Sequence, residues 1–434
     1  MTARAPHVTA FGEQSKCLLL LLYLGCVMIP VRFMIGPLQM TSVRLLLLAL
    51  LPLLIVPLLR SRKLPDLLLL AAVPWVFLAM WINTPAQAIE HTGITAIEML
   101  GGYALARYCV QTSEQFRFLI RTIISLILIC LPLAVFESIT GQPIFIQLIR
   151  TVPGLTSVEI VTIAPRLGLE RVQAVFAHPI HFGMFCSTGI ALLFVGLSHS
   201  VSLPLRLAGL GLITLTTFLA LSSGAFLSVV IQLSLITWLL LFKNLRYRWL
   251  ILLGVCIAAY IFVDLVSNRT PVRVFFSYAT FSAHNAYWRG IIFEWGMLNV
   301  WNNPLFGIGL NDWVRPHFMH SGSMDNFWLW LAVRYGLPGF GMIALAWGIG
   351  ILRVARGPES PMKTAWVFCM IGLTFTLCTV HVWTAIYSYT FFLLGSGQFL
   401  ANAAQPRVKA EPEPRATFQR SFTPNFARPR PVAP

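Results

Sequence analysis

Apolar residues run along this chain in long blocks, separated by short polar or basic stretches. Crossing a bilayer takes about 20 mostly apolar residues, fewer where the bilayer thins. By that measure candidate spans fall at 17–36, 42–59, 65–82, 93–110, 121–137, 182–198, 204–221, 225–242, 249–266, 326–351, 364–382 and 384–400. The fourth carries Glu98 in its middle. Very short turns join 204–221 to 225–242 and 364–382 to 384–400, so both pairs read as helical hairpins. The pattern predicts an all-α, polytopic membrane protein of about twelve transmembrane helices. Its parts are a segment 1–16, a membrane domain 17–400 with long outer loops at 138–181 and 267–325, and a tail 401–434. The tail sets seven prolines among scattered charges and is expected to be disordered.

Composition strengthens that reading. Of 434 residues 57% are hydrophobic and only 11% charged, with a mean hydropathy of +0.77. A soluble domain carries about 25% charged residues, so lipid must face much of this surface. The net charge of +16 would suggest nucleic acid in a soluble protein. Here the basic residues mark cytoplasmic loops, and no nucleic-acid partner is expected. With the N-terminus inside, 21 of the 31 basic residues and all five lysines fall on inside segments. That places both termini of a multi-pass protein in the cytoplasm. The first apolar run lacks an A-x-A-like cleavage site and is followed by many more, so it reads as a first membrane helix. The eight cysteines sit in or beside apolar runs without CxxC pairing, as small buried hydrophobes rather than disulfides or metal ligands.

The polar chemistry collects outside. Seven of nine histidines lie on the outer side, with Arg150, Arg166, Arg171, Arg269, Arg273, Arg289, Arg315 and Arg334. Guanidinium holds phosphate bidentately and is less hydrated than ammonium. A bias against lysine in translocated loops accounts for the same arginines equally well. In Tyr287–Trp313, the residues Trp288, Ile292, Trp295, Met297 and Val300 recur at helical spacing. They suggest an amphipathic helix lying at the outer interface with an aromatic belt, ended by Asn302-Asn303-Pro304. Gly307 and Gly309 then allow a tight turn and a close approach.

His317 to Asn326 is titratable sequence at the mouth of the next span. Asp325 stands at or near its N-terminus, where it could cap the helix. Arg334 lies inside the apolar run, where an arginine needs a cavity or a partner. A second constellation, Phe176-Ala-His178-Pro179-Ile-His181-Phe-Gly183, precedes the sixth span. Its two imidazoles have no third strong ligand nearby, so helix entry or polar contact with a substrate fits better than a metal.

At these residues the chain resembles the bacterial O-antigen ligase and polysaccharide polymerase superfamily. Its pattern of a helix-opening arginine, tryptophans, P-x-x-G-x-G, a loop, a polar motif and G-x-x-G is matched by Arg289, Trp295, Pro304, Gly307, Gly309, Asp325-Asn326, Gly336 and Gly339. The stretch His178, Pro179, Phe182, Gly183 is similar to a recurrent variant in the family. Ligases show His-Asn where this chain has Asp325-Asn326. Many members carry an arginine in the turn after span seven, where this chain reads Ser222-Ser223-Gly224-Ala225. The form D-N-x-W followed by V-R-Y-G-L-P-G is closest to the exopolysaccharide polymerase branch.

The resemblance implies a membrane glycosyltransferase. It would polymerise oligosaccharide units carried on undecaprenyl diphosphate, at the outer face of the cytoplasmic membrane, with no metal and no cofactor. Alternatives are an O-antigen ligase that transfers the glycan to lipid A core, and, from another class, a flippase for the lipid-linked oligosaccharide. Asp325 is the expected base, with His320 its rival. Arg289 is first for the diphosphate, with Arg334, Arg273 and Arg315 behind it. His178, His181, Arg166 and Arg171 are secondary candidates. Implied partners are the lipid-linked oligosaccharide, membrane lipid and other assembly proteins such as a flippase or chain-length regulator.

Overall fold

The computed structural model describes residues 12–36, 38–268, 270, 271, 274 and 283–402, with side chains from 287 onward in the last stretch. Segment 1–11, Arg269, Arg273 and nearly all of the expected disordered tail lie outside the described residues. The fold is helical with one small sheet. Seven of the expected spans are helices long and apolar enough to cross a membrane: Ser42–Leu59, Leu64–Asn83, Ser113–Thr140, Pro179–Gly196, Ser223–Leu241, Arg248–Val266 and Phe327–Ala355. Leu203–Leu219 and Pro361–Leu377 are apolar but shorter.

The remaining three expected spans depart from the uniform helices the pattern predicts. Helix Glu13–Met28 stops before Pro30, and the rest of the first apolar run is strand β1, Val31–Ile35. It pairs antiparallel with β2, Leu38–Thr41, and with β3, Thr156–Ser157, in the order β2-β1-β3. Gly36 takes φ +59° at the hairpin turn, and the Pro30 and Gly36-Pro37 breakers are what divert an apolar run into a sheet. The 93–110 run is Ala88–Ala96, a π turn at Ile97–Gly101, and Gly102–Cys109. The last run is helical only over Thr384–Ser396.

Charges within the apolar mass are paired. Arg44 Nε lies 2.8 Å from Glu98 Oε1, and Arg44 Nη1 donates to the Gln39 carbonyl at 2.7 Å. Asp66 accepts from Ser61, Tyr103 and Arg107. Glu98 therefore does not disqualify its segment as a membrane helix, because its charge is answered from the neighbouring one.

The 138–181 connection is tied down by the end of helix Ser113–Thr140. Glu137 accepts the backbone N–H groups of Gln173 and Ala174, one on each carboxylate oxygen, at 2.8 and 2.9 Å. Glu170 N–H donates to the Ser138 carbonyl and Val172 N–H to the Leu219 carbonyl. Ala174 is held at φ +51° by these contacts, a conformation that costs a non-glycine residue energy.

Helix Phe327–Ala355 is kinked at Gly336, where φ is +71° and ψ 176°. Pro338 has no N–H, and Leu337 N–H turns away to the Pro304 carbonyl at 2.7 Å. The carbonyls of Val333 and Arg334, left without helical donors, accept from Ile308 and Gly309 at 2.9 and 3.1 Å. The glycine-rich turn is thus docked backbone to backbone against the kink. A Cβ at Gly307 would sit 2.5 Å from the Val333 carbonyl oxygen, and one at Gly336 would strike the Leu305 carbonyl. Helix Ala283–Asn302 packs on the same region. Ile291, Ile292 and Val300 are buried with Leu329, Val333, Met319 and Met324. Much of its apolar face therefore covers protein, and not lipid as the periodicity had suggested.

The Arg44–Glu98 pair sets a stability prediction. Removing one partner of a buried pair leaves an uncompensated charge and costs about 3–5 kcal/mol. Arg44→Ala should lower the melting temperature in detergent sharply, while Arg44→Met combined with Glu98→Met should recover most of the loss. Equal melting of Arg44→Ala and wild type would show that the pair contributes nothing.

Candidate functional site

The turns between Leu219 and Ser223 and between Leu377 and Thr384, the second longer than the sequence suggested, open on one cavity. It occupies about 530 Å³ and is lined by Ser222 and Ser223 from the first turn and His381 and Trp383 from the second. Helix Ala283–Asn302 adds Trp288 and Arg289, and the 138–181 connection adds Arg166, Arg171 and His178. The loop before helix Phe327–Ala355 closes it with Phe318, Met319, His320, Ser321, Ser323 and Asp325. Five separate chain segments therefore meet around a space of ordinary ligand-site size.

Each cation is positioned by local structure. Arg166 flanks a tight turn with Leu167 at φ +54° and Gly168 at φ +76°, closed by reciprocal 3.0 Å hydrogen bonds between Arg166 and Leu169. Its Nη1 donates to the Leu221 carbonyl at 2.7 Å. Leu221 is itself held at φ +45°. Arg289 Nη2 reaches Ser223 Oγ at 3.4 Å. Two guanidiniums from different segments therefore grip the same turn, two residues apart. Arg171 stands on the strip fixed by Glu137, Ser138 and Leu219.

The donors are not all used. Arg289 Nη1 and Arg171 Nε are buried and have no hydrogen-bond partner. An unmade bond on a buried charged donor costs about 1–3 kcal/mol or more, so the site is built to receive an acceptor. Burial, the first cause in each case, holds the pKa values of Arg166, Arg289 and Arg171 below the ordinary guanidinium range, that of Arg171 at about 10. All three remain cationic at neutral pH.

His178 caps helix Pro179–Ser187. Its Nδ1 accepts from Ile180 N–H at 3.1 Å, which leaves the proton of the neutral ring on Nε2. Burial, with Arg171 as the next cause, lowers its pKa to about 4, so it is a neutral donor and not a base at pH 7. His181 is fully buried behind the wall, its ring 4.0 Å from that of Trp383, and its Nε2 is unpartnered. It does not line the cavity.

Asp325 lines the cavity but does not cap the helix. Asn326 does, its Oδ1 accepting from Leu329 N–H at 3.0 Å. The cap expected of Asp325 therefore belongs to its neighbour, and the Asp325 carboxylate accepts only from Ser323 Oγ, at 2.8 Å, among the described residues. His320 is exposed on the cavity's closing loop.

Two expected phosphate ligands are engaged elsewhere. Arg334 Nη1 donates to the carbonyls of Gly309 and Asn311, both at 2.7 Å, and its guanidinium lies 6.0 Å from the Trp330 ring centre. It braces the glycine-rich turn. Arg315 pairs with Asp312 and donates to the Met319 carbonyl at 3.0 Å, bracing the closing loop. That pairing is the main cause holding the Asp312 carboxyl below its usual range. Neither arginine lines the cavity. Arg273 lies outside the described residues. Conversely, Ser222, Ser223 and Trp383 were not anticipated. The signal available was polar and aromatic residues in two turns otherwise too short to need them.

Among the described residues, no three His, Cys, Asp or Glu side chains converge as a metal ligand set. No curated protein matches the chain. The family model described as O-antigen ligase matches residues 208–344, the stretch that supplies the serine turn, Arg289, the docked glycine turn, the closing loop and Asp325. Those residues are similar to an O-antigen ligase domain, and the seven long apolar helices make the chain a multi-pass membrane protein.

Proposed function

We propose that the protein polymerises oligosaccharide units carried on undecaprenyl diphosphate, in the assembly of a bacterial surface polysaccharide. The observation that carries this reading is the single cavity in which Arg289 and Asp325 meet Arg166 and the serine turn. With the basic loops inside, that cavity faces the outer leaflet of the inner membrane.

Arg166 and Arg289 clamp the donor's diphosphate over Ser222–Ser223. Their charge stabilises the negative charge that builds on the leaving group as the bond breaks. Asp325 takes the proton from an acceptor hydroxyl, whose oxygen bonds to the anomeric carbon. The bond from that carbon to the diphosphate oxygen breaks, and undecaprenyl diphosphate departs with the electron pair. Asp325 suits the base role because Asn326 performs the capping, leaving the carboxylate for chemistry. The D-N form in place of the ligase His-Asn favours a polymerase over transfer to lipid A core. A flippase would need polar groups along its path, whereas these collect where the hairpin turns meet.

Purified protein in liposomes with the lipid-linked oligosaccharide should give a ladder of polymer. A single transfer to added lipid A core, or lipid translocation without bond formation, would overturn the polymerase reading in favour of the ligase or the flippase.

Variants separate chemistry from stability. Arg289→Lys keeps the charge and loses the fork, so transfer should fall substantially at normal melting temperature. Asp325→Asn should melt like wild type and lose about 10²–10⁴-fold in rate, the usual worth of a general base. His320→Ala should stay within a few-fold of wild type. A fully active Asp325→Asn beside an inactive His320→Ala would move the base to His320.

A further inference from the structure

Once the donor diphosphate is assigned to Arg166 and Arg289, one wall of the cavity is left without a task. It is made by Arg171 and His178, both outside the region that matches the ligase family model. The chain spends considerable structure on this wall. Glu137 uses both carboxylate oxygens to hold the backbone of Gln173 and Ala174 between these two residues. Gln173 adds hydrogen bonds to the Glu159 and Phe176 carbonyls, and Val172 is pinned to Leu219. Arg171 nevertheless keeps a buried Nε without a partner, and no ion pair joins it to Asp325 among the described residues. His178 has its Nδ1 occupied by Ile180, so the atom it has left to offer is the Nε2–H.

We infer that Arg171 and His178 form a second anion subsite in the same cavity, which recognises a carboxylate or phosphate borne by the acceptor. A guanidinium and a neutral N–H donor on one braced strip, both lining the cavity, suit an anion, whose oxygens can accept from each. The acceptor is then an acidic glycan, or a second lipid-linked unit presenting its own diphosphate. In either case the enzyme reads acceptor charge with a wall that the family region does not supply. This rests on the assignment of Arg166 and Arg289 to the donor.

The test uses the full chain in detergent micelles, loaded with one equivalent of inorganic pyrophosphate to fill the Arg166–Arg289 side. Calorimetric titration then compares methyl glucuronide, inorganic phosphate and uncharged methyl glucoside. At least one anion should bind the loaded protein and the glucoside should not. Arg171→Gln and His178→Asn should each weaken that binding roughly tenfold or more, with Arg171→Lys intermediate. Asparagine retains the cap at position 178, and unchanged melting temperatures show that the variants fold. Binding of the glucuronide points to an acidic sugar, and binding of phosphate alone to the diphosphate of a second unit. Absence of anion binding to the loaded wild type, or unchanged affinity in Arg171→Gln, overturns the inference. If pyrophosphate binding ignores both Arg166→Gln and Arg289→Gln, the donor assignment fails instead. The anion titrations on unloaded protein then decide Arg171 by the same criterion.

Discussion

A helix that breaks inside an apolar protein must find partners for the backbone groups it releases, and helix Phe327–Ala355 breaks at Gly336. Water cannot serve there, and each unmet carbonyl or N–H would cost several kcal/mol in hydrocarbon. The chain meets that demand with another piece of backbone. Ile308 and Gly309 donate to the freed carbonyls, and the Pro304 carbonyl takes the freed N–H of Leu337. Side chains would hold the two strands apart, which is why Gly307 and Gly336 stand where they do. Arg334 adds its guanidinium to the same turn. The glycines that carry the family resemblance form in this chain a docking joint, and Arg334 is its brace.

That joint has consequences for the cavity. It fixes the end of helix Ala283–Asn302 against the first half of helix Phe327–Ala355; Arg289 stands on the former, and Asp325 immediately precedes the N-cap of the latter. The opposite wall is fixed independently by Glu137 on the 166–178 strip. Between them run the two hairpin turns, one of three residues between Leu219 and Ser223 and one of six between Leu377 and Thr384, which bring Ser222, Ser223, His381 and Trp383 to the cavity. The arginines are thus held in place by rigid backbone, and among the described residues none of Arg166, Arg171 and Arg289 is ion-paired with a carboxylate. Arg289 Nη1 and Arg171 Nε are left buried without a protein partner, which is the condition for electrostatic preorganisation toward an anion.

Much of this was legible in the apolar pattern. Seven spans follow directly from run length, whereas Glu98 gave no sign of its partner Arg44. The pattern failed where apolar residues do something other than cross the membrane. Val31–Ile35 are as apolar as a span, and only Pro30 and Gly36-Pro37 reveal the sheet. In the 283–302 helix, the same periodicity serves lipid and protein contact equally, and only the partner surface decides. At the site, six of the residues singled out in the sequence, Arg289, Asp325, His320, Arg166, Arg171 and His178, line one cavity. Arg334 and Arg315 were misplaced for a physical reason. An arginine in an apolar run needs acceptors, and nothing in a sequence distinguishes a ligand's oxygens from the carbonyls of a neighbouring turn. The division of labour between Asp325 and Asn326 depends on where one helix begins to within a single residue, which sequence patterns do not resolve.

The central claim is that one cavity holds the donor's diphosphate between guanidiniums from two different segments. A structure of the protein in a lipid nanodisc with undecaprenyl diphosphate tests it most directly. The two phosphates should lie over Ser222–Ser223, within hydrogen-bond reach of Arg166 and Arg289, with the Asp325 carboxylate facing the side from which an acceptor would come. Phosphates seated instead on Arg334 or Arg315, or outside the cavity, would contradict the account.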